Sequence, residues 1–358
     1  MSAVAPRVTL KQLAEDLGVS RATVSNAYNR PDQLSGELRE RILVRAGELG
    51  FAGPDPVARG LRRGRVGAVG VLVDQGLSYA FSDPVVVLVL DGLARELQAD
   101  GTGLLLHAAV PDAPDADAVR AAAVDGWIVM SVPADHPAVV AAVGQGRPMV
   151  VVDQPLLPGV PHVGIDDAGG ARAAATHLLA LGHREITVLT LPLRGDGRSG
   201  PVDPERRAEA TNTVMAVRLA AVEGALREAG VRDVRVVECP ANDHDAGATG
   251  AAQALEHAGT TALLCLSDQL ALGALRLARD HGLDVPGQLS VIGFDDAPPA
   301  RTAYPSLTTI AQPLPERGTA AARLLRALLA DEPAPSPPPF PTHLVVRRST
   351  GPVPGQYV

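Results

Sequence analysis

From Val66 onward, short β-type runs alternate with stretches of helical periodicity, and this alternation constrains the architecture more than any other feature of the chain. The pattern predicts strands over Val66–Val73, Gly103–His107, Gly126–Met130, Met149–Asp153, Glu185–Leu189, Val234–Cys239, Ala262–Leu266 and Ser290–Phe294. Between them it predicts helices such as Leu88–Gln98, Ala168–Leu181, Leu219–Glu228, Gly247–His257 and Gln269–His281. Strands separated by crossover helices form parallel sheets with helices on both faces, which makes the class α/β. Val85–Leu90 looks like a strand, but Asp83-Pro84 opens it and GLARELQADG closes it, so it reads as helix. Residues 66–358 are too many for one doubly wound sheet, so two similar lobes are expected. Aromatic residues are only 3%, and the core must be built from Ala, Val and Leu. Trp127, in the middle of a strand, reads as core.

The region before Val66 has a different periodicity. Thr9 and Gln12 have capping-box spacing, and Leu10, Leu13, Ala14 and Leu17 give one apolar helix face. Gly18-Val19-Ser20 breaks that helix, with Gly18 suited to the left-handed C-cap and Ser20 to the next N-cap. A second helix follows over about residues 21–28, and Ser35 caps a third that ends at Gly50. Two short helices joined by a tight turn, with a third behind, describe a helix-turn-helix unit; a generic three-helix subdomain has the same pattern. Charge bears on the choice between the two readings and leaves both open. The whole chain carries −8, which alone argues against nucleic acid, yet residues 1–65 hold 11 Lys/Arg against 7 Asp/Glu. The remainder holds 21 against 33. A basic head on an acidic body points to a nucleic-acid-binding module joined to something else.

Several classes are excluded or disfavoured. Two cysteines, Cys239 and Cys265, cannot form a disulfide framework or a Cys-based zinc site. No apolar run approaches the ~20 residues of a membrane span. The opening MSAVAPRVTLKQLAEDLG has no apolar signal-peptide core, so a cytoplasmic protein is expected. There is no Gly-x-Ser-x-Gly elbow and no phosphate loop, so no enzyme activity and no cofactor is expected. Ligands of parallel sheets bind beyond the C-terminal strand ends, where Tyr79 to Asp83, Asp153-Gln154, Asp166-Asp167, Ser267-Asp268 and Phe294 to Asp296 fall. No His stands at ligand spacing with these carboxylates, which argues against a metal. Asp268 is expected to cap the helix starting at Gln269.

VTLKQLAEDLGVSRATVSNAYNRPDQLSGELRERILVRAGELGF resembles the head of the LacI/GalR family of bacterial transcriptional regulators. The motif Leu-x-x-Leu-Ala-x-x-x-Gly-Val-Ser-x-x-Thr-Val-Ser carries the likeness. The resemblance implies that the second helix enters the major groove of double-stranded operator DNA, with Arg21, Ala22 and Asn26 at base edges. Arg pairs with guanine and Asn with adenine, while Ala22 can touch only a thymine methyl. Thr23 and Ser25 fit phosphate contacts or the helix surface. GPDPVARGLRRGR, residues 53–65, resembles the family's hinge helix, which places Leu61 as a minor-groove wedge. Many members have Arg or His where this chain has Asn26, and Pro56 stands where a helical residue is usual.

The likeness continues through HLLALGHREITVL, RLAAVEGALREAG, ALLCLSDQLALGALRLARDHGLDVPGQLSVIGFDDAP and YPSLTTIAQP. It implies a two-lobed body similar to periplasmic binding proteins, with an effector between the lobes. The effector contacts fall on Tyr79, Phe81, Asp153, Asp166, Arg218, Ser267, Asp295 and Gln312. Their chemistry suits a sugar or a nucleoside. The organisation implied is a DNA-binding domain over 1–52, a hinge over 53–65 and an effector and dimerisation domain over 66–358. The function implied is a repressor controlled by a small polar effector; a solute-binding protein or an enzyme of the same α/β class is the alternative. Ser267 stands where sugar-binding members often have Asn or Asp. LRGDGRSGPVDPERRAEATNT, residues 193–213, is longer than the usual loop and reads as a lid or an insertion disordered in the free protein. Pro333–Pro341 reads as a stiff connector. The tail RRSTGPVPGQYV has no leucine heptad, so a homodimer is expected rather than a tetramer.

Overall fold

A computed structural model of the chain describes residues 8–51, 53, 65–110 and 115–354. The chain divides into two compact units at Gly67/Ala68. In the first, α1 (Leu10–Leu17), α2 (Arg21–Asn29) and α3 (Gly36–Glu48) form a small bundle. Thr9 and Gln12 make the complete capping box on α1, and Gly18 closes it at φ 65°. Ser20 and Ser35 cap α2 and α3 through their hydroxyls. Leu13, Ala14, Val24, Ala27, Ile42 and Ala46 form the bundle's core. Leu61 and the rest of the predicted hinge between Gly53 and Arg65 lie outside the described residues.

The second unit has two lobes. Lobe 1 runs through β1 (Ala68–Asp74), α4 (Leu77–Ser82), α5 (Pro84–Gln98), β2 (Gly103–Ala109), α6 (Asp115–Ala121), β3 (Gly126–Met130), α7 (Pro137–Gly144), β4 (Met149–Val152) and β5 (His162–Val163). Its sheet has the order β2-β1-β3-β4-β5 and is parallel throughout. Lobe 2 begins with α8 (Asp167–Ala180), β6 (Ile186–Thr190), β7 (Gly200–Pro201), α9 (Pro204–Ala208), α10 (Thr213–Glu228) and β8 (Arg235–Glu238). It continues with α11 (His244–Leu255), β9 (Ala262–Cys265), α12 (Asp268–Asp280), β10 (Ser290–Ile292), α13 (Pro298–Thr302) and β11 (Thr309–Ala311). The second sheet, β10-β9-β6-β8-β7, is parallel except for its edge strand β7. The chain then returns to lobe 1 as α14 (Leu314–Leu329) before β12 (His343–Val345) pairs with β11. Two parallel sheets with helices on both faces agree with the α/β reading, and Trp127 is fully buried. Among the described residues, no helix is long and apolar enough to cross a membrane.

The boundaries move for identifiable reasons. Gly67 sits at φ 79°, so the first strand starts at Ala68 rather than Val66. Asp83 caps α5, and Pro84 takes its first position, so that helix begins four residues before Leu88. Asn212 caps α10, which starts at Thr213 instead of Leu219. The expected helix cap at Asp268 is corrected: Ser267 caps α12, and Asp268 is buried at its first position. The helix α14 packs on α5 backbone against backbone. A Cβ at Gly318 would meet Val89 O at 2.0 Å, and one at Gly92 would meet Pro315 O at 2.0 Å, so both positions require glycine.

The largest correction concerns residues 193–213, expected to be disordered and found built into lobe 2. Gly200 and Pro201 pair antiparallel with Glu238 and Val237. Arg206, 2% exposed, donates to both carboxylate oxygens of the equally buried Glu238 at 2.8 Å and forks onto Asp196 at 2.6 and 2.8 Å. The amides of Thr211 and Asn212 close the neck by donating to Leu193 O at 2.9 and 3.0 Å. A Gly- and Pro-rich composition misled the disorder reading because one buried Arg–carboxylate pair and a strand pairing outweigh it.

Candidate functional site

The head presents the start of α2 to solvent. Arg21 and Ala22 occupy its first two positions and are exposed. Thr23 donates its amide to the Ser20 hydroxyl at 3.0 Å and shares a hydroxyl contact with it at 2.8 Å. Asn26 is half-buried, and its Nδ2 donates to Gln33 Oε1 at 3.2 Å. Arg21, Ala22 and Asn26 therefore share one side of the helix, with Val24 and Ala27 facing the core. Ser25 does not fit a phosphate contact: it is buried, and Asn29 Nδ2 donates to its carbonyl at 2.9 Å and its hydroxyl at 3.1 Å.

In the body, the C-terminal strand ends of both lobes converge on a cavity with about 820 Å³ of empty space, open solvent at its mouth included. Tyr79, Asp153, Arg218, Ser267, Asp295 and Gln312 all line it. Each has a structural reason to be there. Asp153 follows β4 at φ 67°, and Asp295 follows β10 at φ 123°. Gln75 and Ser131, at the ends of β1 and β3, also have positive φ and also line the cavity. Non-glycine residues held in that region mark sites the surrounding structure over-determines.

Arg218 enters from the first turns of α10. Its Nε donates to Asp167 Oδ1 at 2.7 Å, Nη1 donates to Leu266 O at 2.9 Å, and Asp295 stands 3.9 Å away. The guanidinium lies 3.6 Å over the Phe294 ring. Asp295 accepts from Gln312 Nε2 at 2.6 Å. Burial pushes its carboxyl up to about 7, against the pull of Arg218. Asp268, behind it, accepts from Thr309 Oγ1 at 2.6 Å and Ala297 N at 2.9 Å, and burial with Asp295 nearby pushes it well above the usual range. On the lobe 1 side, burial raises Asp74 to about 6 and lifts the Tyr79 phenol well above its ordinary value.

The structure does not bring Phe81 or Asp166 to this cavity. Phe81 is 71% exposed on α4. Asp166 is exposed and caps α8 by accepting from Gly169 N at 2.8 Å. Its neighbour Asp167 is the one that reaches Arg218. The residue reading also missed Arg317 and Asn242. Arg317, 1% exposed on α14, is paired with Asp153 and Gln312. Asn242 Nδ2 donates to Tyr79 Oη and Asp83 Oδ2, each at 2.9 Å, and ties lobe 2 to lobe 1. Arg317 lay on a helix not predicted, whereas Asn242 follows β8 and the strand-end rule could have found it. Gln154 makes a second inter-lobe link, accepting from Thr213 N at 2.8 Å and Oγ1 at 2.9 Å.

A cleft between two parallel-sheet lobes, ringed by carboxylates and guanidiniums and preceded by a helix-turn-helix head, defines a ligand-responsive transcriptional regulator. Residues 175–350 match the periplasmic binding protein-like domain family. The chain is 45% identical over 326 residues to the HTH-type transcriptional regulator Rv3575c of Mycobacterium tuberculosis, covering 89% of this chain and 90% of that one. A crystal structure of a LacI family transcriptional regulator from Corynebacterium glutamicum matches with a TM-score of 0.73 and 33% identity, over 96% of this chain and 98% of that one. The lac repressor dimer bound to operator and the anti-inducer ONPF matches with a TM-score of 0.78 and 25% identity, over 97% and 100%. The chain belongs to the LacI family of helix-turn-helix transcriptional regulators.

Proposed function

We propose that the chain is a cytoplasmic repressor that binds a two-fold operator as a homodimer and releases or tightens it when a small polar effector, a sugar or a nucleoside, occupies the cleft. Residues 1–52 bind DNA, 53–65 act as the hinge, and 66–358 bind effector and dimerise. Arg21, Ala22 and Asn26 meet base edges, Thr23 meets phosphate, and Leu61 is the wedge. Tyr79, Asp153, Arg218, Ser267, Asp295 and Gln312, joined by Arg317 and Asn242, hold the effector. Phe81 and Asp166, implied as contacts by the family likeness, stand outside the cavity and are left out of this set.

The observation that carries the effector reading is the polar ring itself. Two buried guanidiniums and several carboxylates stand in one cavity at the strand ends of two lobes, where hydroxyl groups find both donors and acceptors. The test is a thermal-shift series over sugars and nucleosides, followed by operator titration with each compound that stabilises the body. A compound at 100 times its Kd should add about 2.7 kcal/mol. Stabilising compounds that leave operator affinity untouched would make the protein a binder without control.

A further inference from the structure

The cleft does not end at the polar ring. A second chamber, with about 1530 Å³ of empty space including open solvent, adjoins the first, and residues 193–213 form its roof. Asp74, the last residue of β1, lines both chambers. We propose that Asp74 receives a positively charged nitrogen, so that the effector is a polyhydroxyl compound bearing an ammonium group. The inference rests on the effector reading above and adds a charge to it.

Three observations support it. First, the Asp74 carboxylate is unanswered within the protein. Among the described residues its one hydrogen bond comes from the next amide, Gln75 N to Oδ1 at 3.0 Å, and it joins no ion pair. The other carboxylates of the first chamber are matched. Asp153 pairs with Arg317, Asp295 accepts from Gln312 at 2.6 Å, and Asp83 accepts from Asn242 and two α5 amides, each at 2.9 Å.

Second, the guanidiniums that line the two chambers are already committed. Arg218 pairs with Asp167 at 2.7 Å, Arg317 with Asp153, Arg194 with Glu209 at 2.9 Å and Arg198 with Asp203 at 3.5 Å. Burial lifts the Asp74 carboxyl to about 6, against the pull of the Gln75 amide and of His136. His136 makes no ion pair with it, and its Nδ1 is occupied in accepting the Ala138 amide at 3.2 Å. Third, the side-chain amides that line both chambers beside Asp74 point elsewhere. Gln154 Nε2 donates to Ser131 O at 3.1 Å, and Asn212 Nδ2 to Pro192 O at 3.1 Å.

A neutral ligand that displaced water from Asp74 would leave a buried charge without a counter-charge, which is costly. An ammonium group brings the missing charge and donates to the free carboxylate oxygen. Tyr79, in the same chamber, adds an aromatic ring of the kind that favours a cation. The hydroxyl groups of the same ligand fall to the polar ring.

Asp74→Asn supplies the test. It removes the charge and keeps the shape, and Asp74→Glu keeps the charge as control. The full-length parent and both variants are titrated calorimetrically at about pH 7, where both the amine and Asp74 carry charge. The ligands are glucosamine, N-acetylglucosamine and glucose, galactosamine and galactose, and 5′-amino-5′-deoxyadenosine and adenosine. In the parent, at least one amine should bind about tenfold or more tighter than its uncharged counterpart. That ratio should fall to within about twofold of unity in Asp74→Asn and persist in Asp74→Glu. The ratio is read in the parent as well, so an unstable variant does not hide the answer. Equal affinity for amines and their uncharged counterparts in the parent would overturn the ammonium site. So would N-acetylglucosamine binding as tightly as glucosamine, or a preference for the amine that survives in Asp74→Asn. Each of these leaves the polyhydroxyl reading intact. Failure of every compound to bind would overturn the polyhydroxyl reading itself.

Discussion

The head and the body solve recognition in opposite ways. The head's candidate contacts lie within six consecutive residues of one helix, Arg21 to Asn26, and depend on exposure. The body's proposed contacts come from residues that line the cleft between Asp74 and Arg317, on two lobes, and depend on burial. A polymer with one charge every few ångströms can be met by short donors on a stiff helix, because its own field supplies much of the attraction. A small polar ligand supplies no such field, so the protein must pre-arrange donors and acceptors in a place water has left. The cost is visible in the body as carboxyls pushed toward neutrality.

The largest test of this contrast is Arg206→Ala. It strands the buried Glu238 carboxylate, and breaking such a pair costs about 3–5 kcal/mol. The loss should appear only in the body, as a lowered thermal transition, with the head's helical signal and its non-specific DNA binding unchanged. A variant that melts as the parent does would mean the roof contributes nothing to lobe 2.

The difference also explains what could be read from sequence. The head was legible nearly residue by residue, because Thr9, Gly18, Ser20 and Ser35 act locally, each through a cap within four residues of its partner. The parallel sheets were legible as well, since alternation of strand and helix is a property of the chain itself. The cleft was legible only in part. Strand-end logic and family likeness found Asp153, Arg218, Ser267 and Asp295, but Arg317 reaches Asp153 across 164 residues, and no local pattern announces that pair. Asp166 and Asp167 show the finer limit: a helical step of one residue decides which carboxylate caps the helix and which meets Arg218. The order of residues 193–213 was hidden for the same reason, since Arg206 finds Glu238 32 residues away.

Acidity provides the next test. Asp295 has its carboxyl raised to about 7 in the folded body, above its unfolded value near 3.8. The folded state therefore holds a proton that the unfolded state has lost between roughly pH 4 and pH 7. Stability should fall as pH rises through that window, by at most about 1.4 kcal/mol per unit, and level off above it. Asp295→Asn removes this titration, so the difference in melting temperature between parent and variant should move in the variant's favour from pH 5 to pH 7. A difference that stays flat across the window would place Asp295 in an ordinary ionised state and weaken the contrast with the head. His177 and His183, both lowered by burial, titrate in parent and variant alike and cancel from the comparison.

Asn26→Ala sharpens the head's side. With Gln33 as its hydrogen-bond partner off DNA, Asn26 is free to exchange that contact for an adenine edge. The change should relax discrimination at one base pair per half-site by about 1–3 kcal/mol and leave the salt dependence of binding unchanged. Uniform weakening on every operator variant would instead make it a backbone contact.

The account's central claim is that these two unlike sites answer to one another. The direct measurement is operator affinity with and without a ligand shown to occupy the cleft, paired with ligand affinity with and without operator, for the parent and Arg218→Ala. The two ratios should be equal, with a coupling of about 1–3 kcal/mol. In Arg218→Ala the response should vanish while ligand-free operator affinity stays within about twofold of the parent. A ligand that fills the cleft of the parent and leaves operator affinity unchanged would contradict the claim.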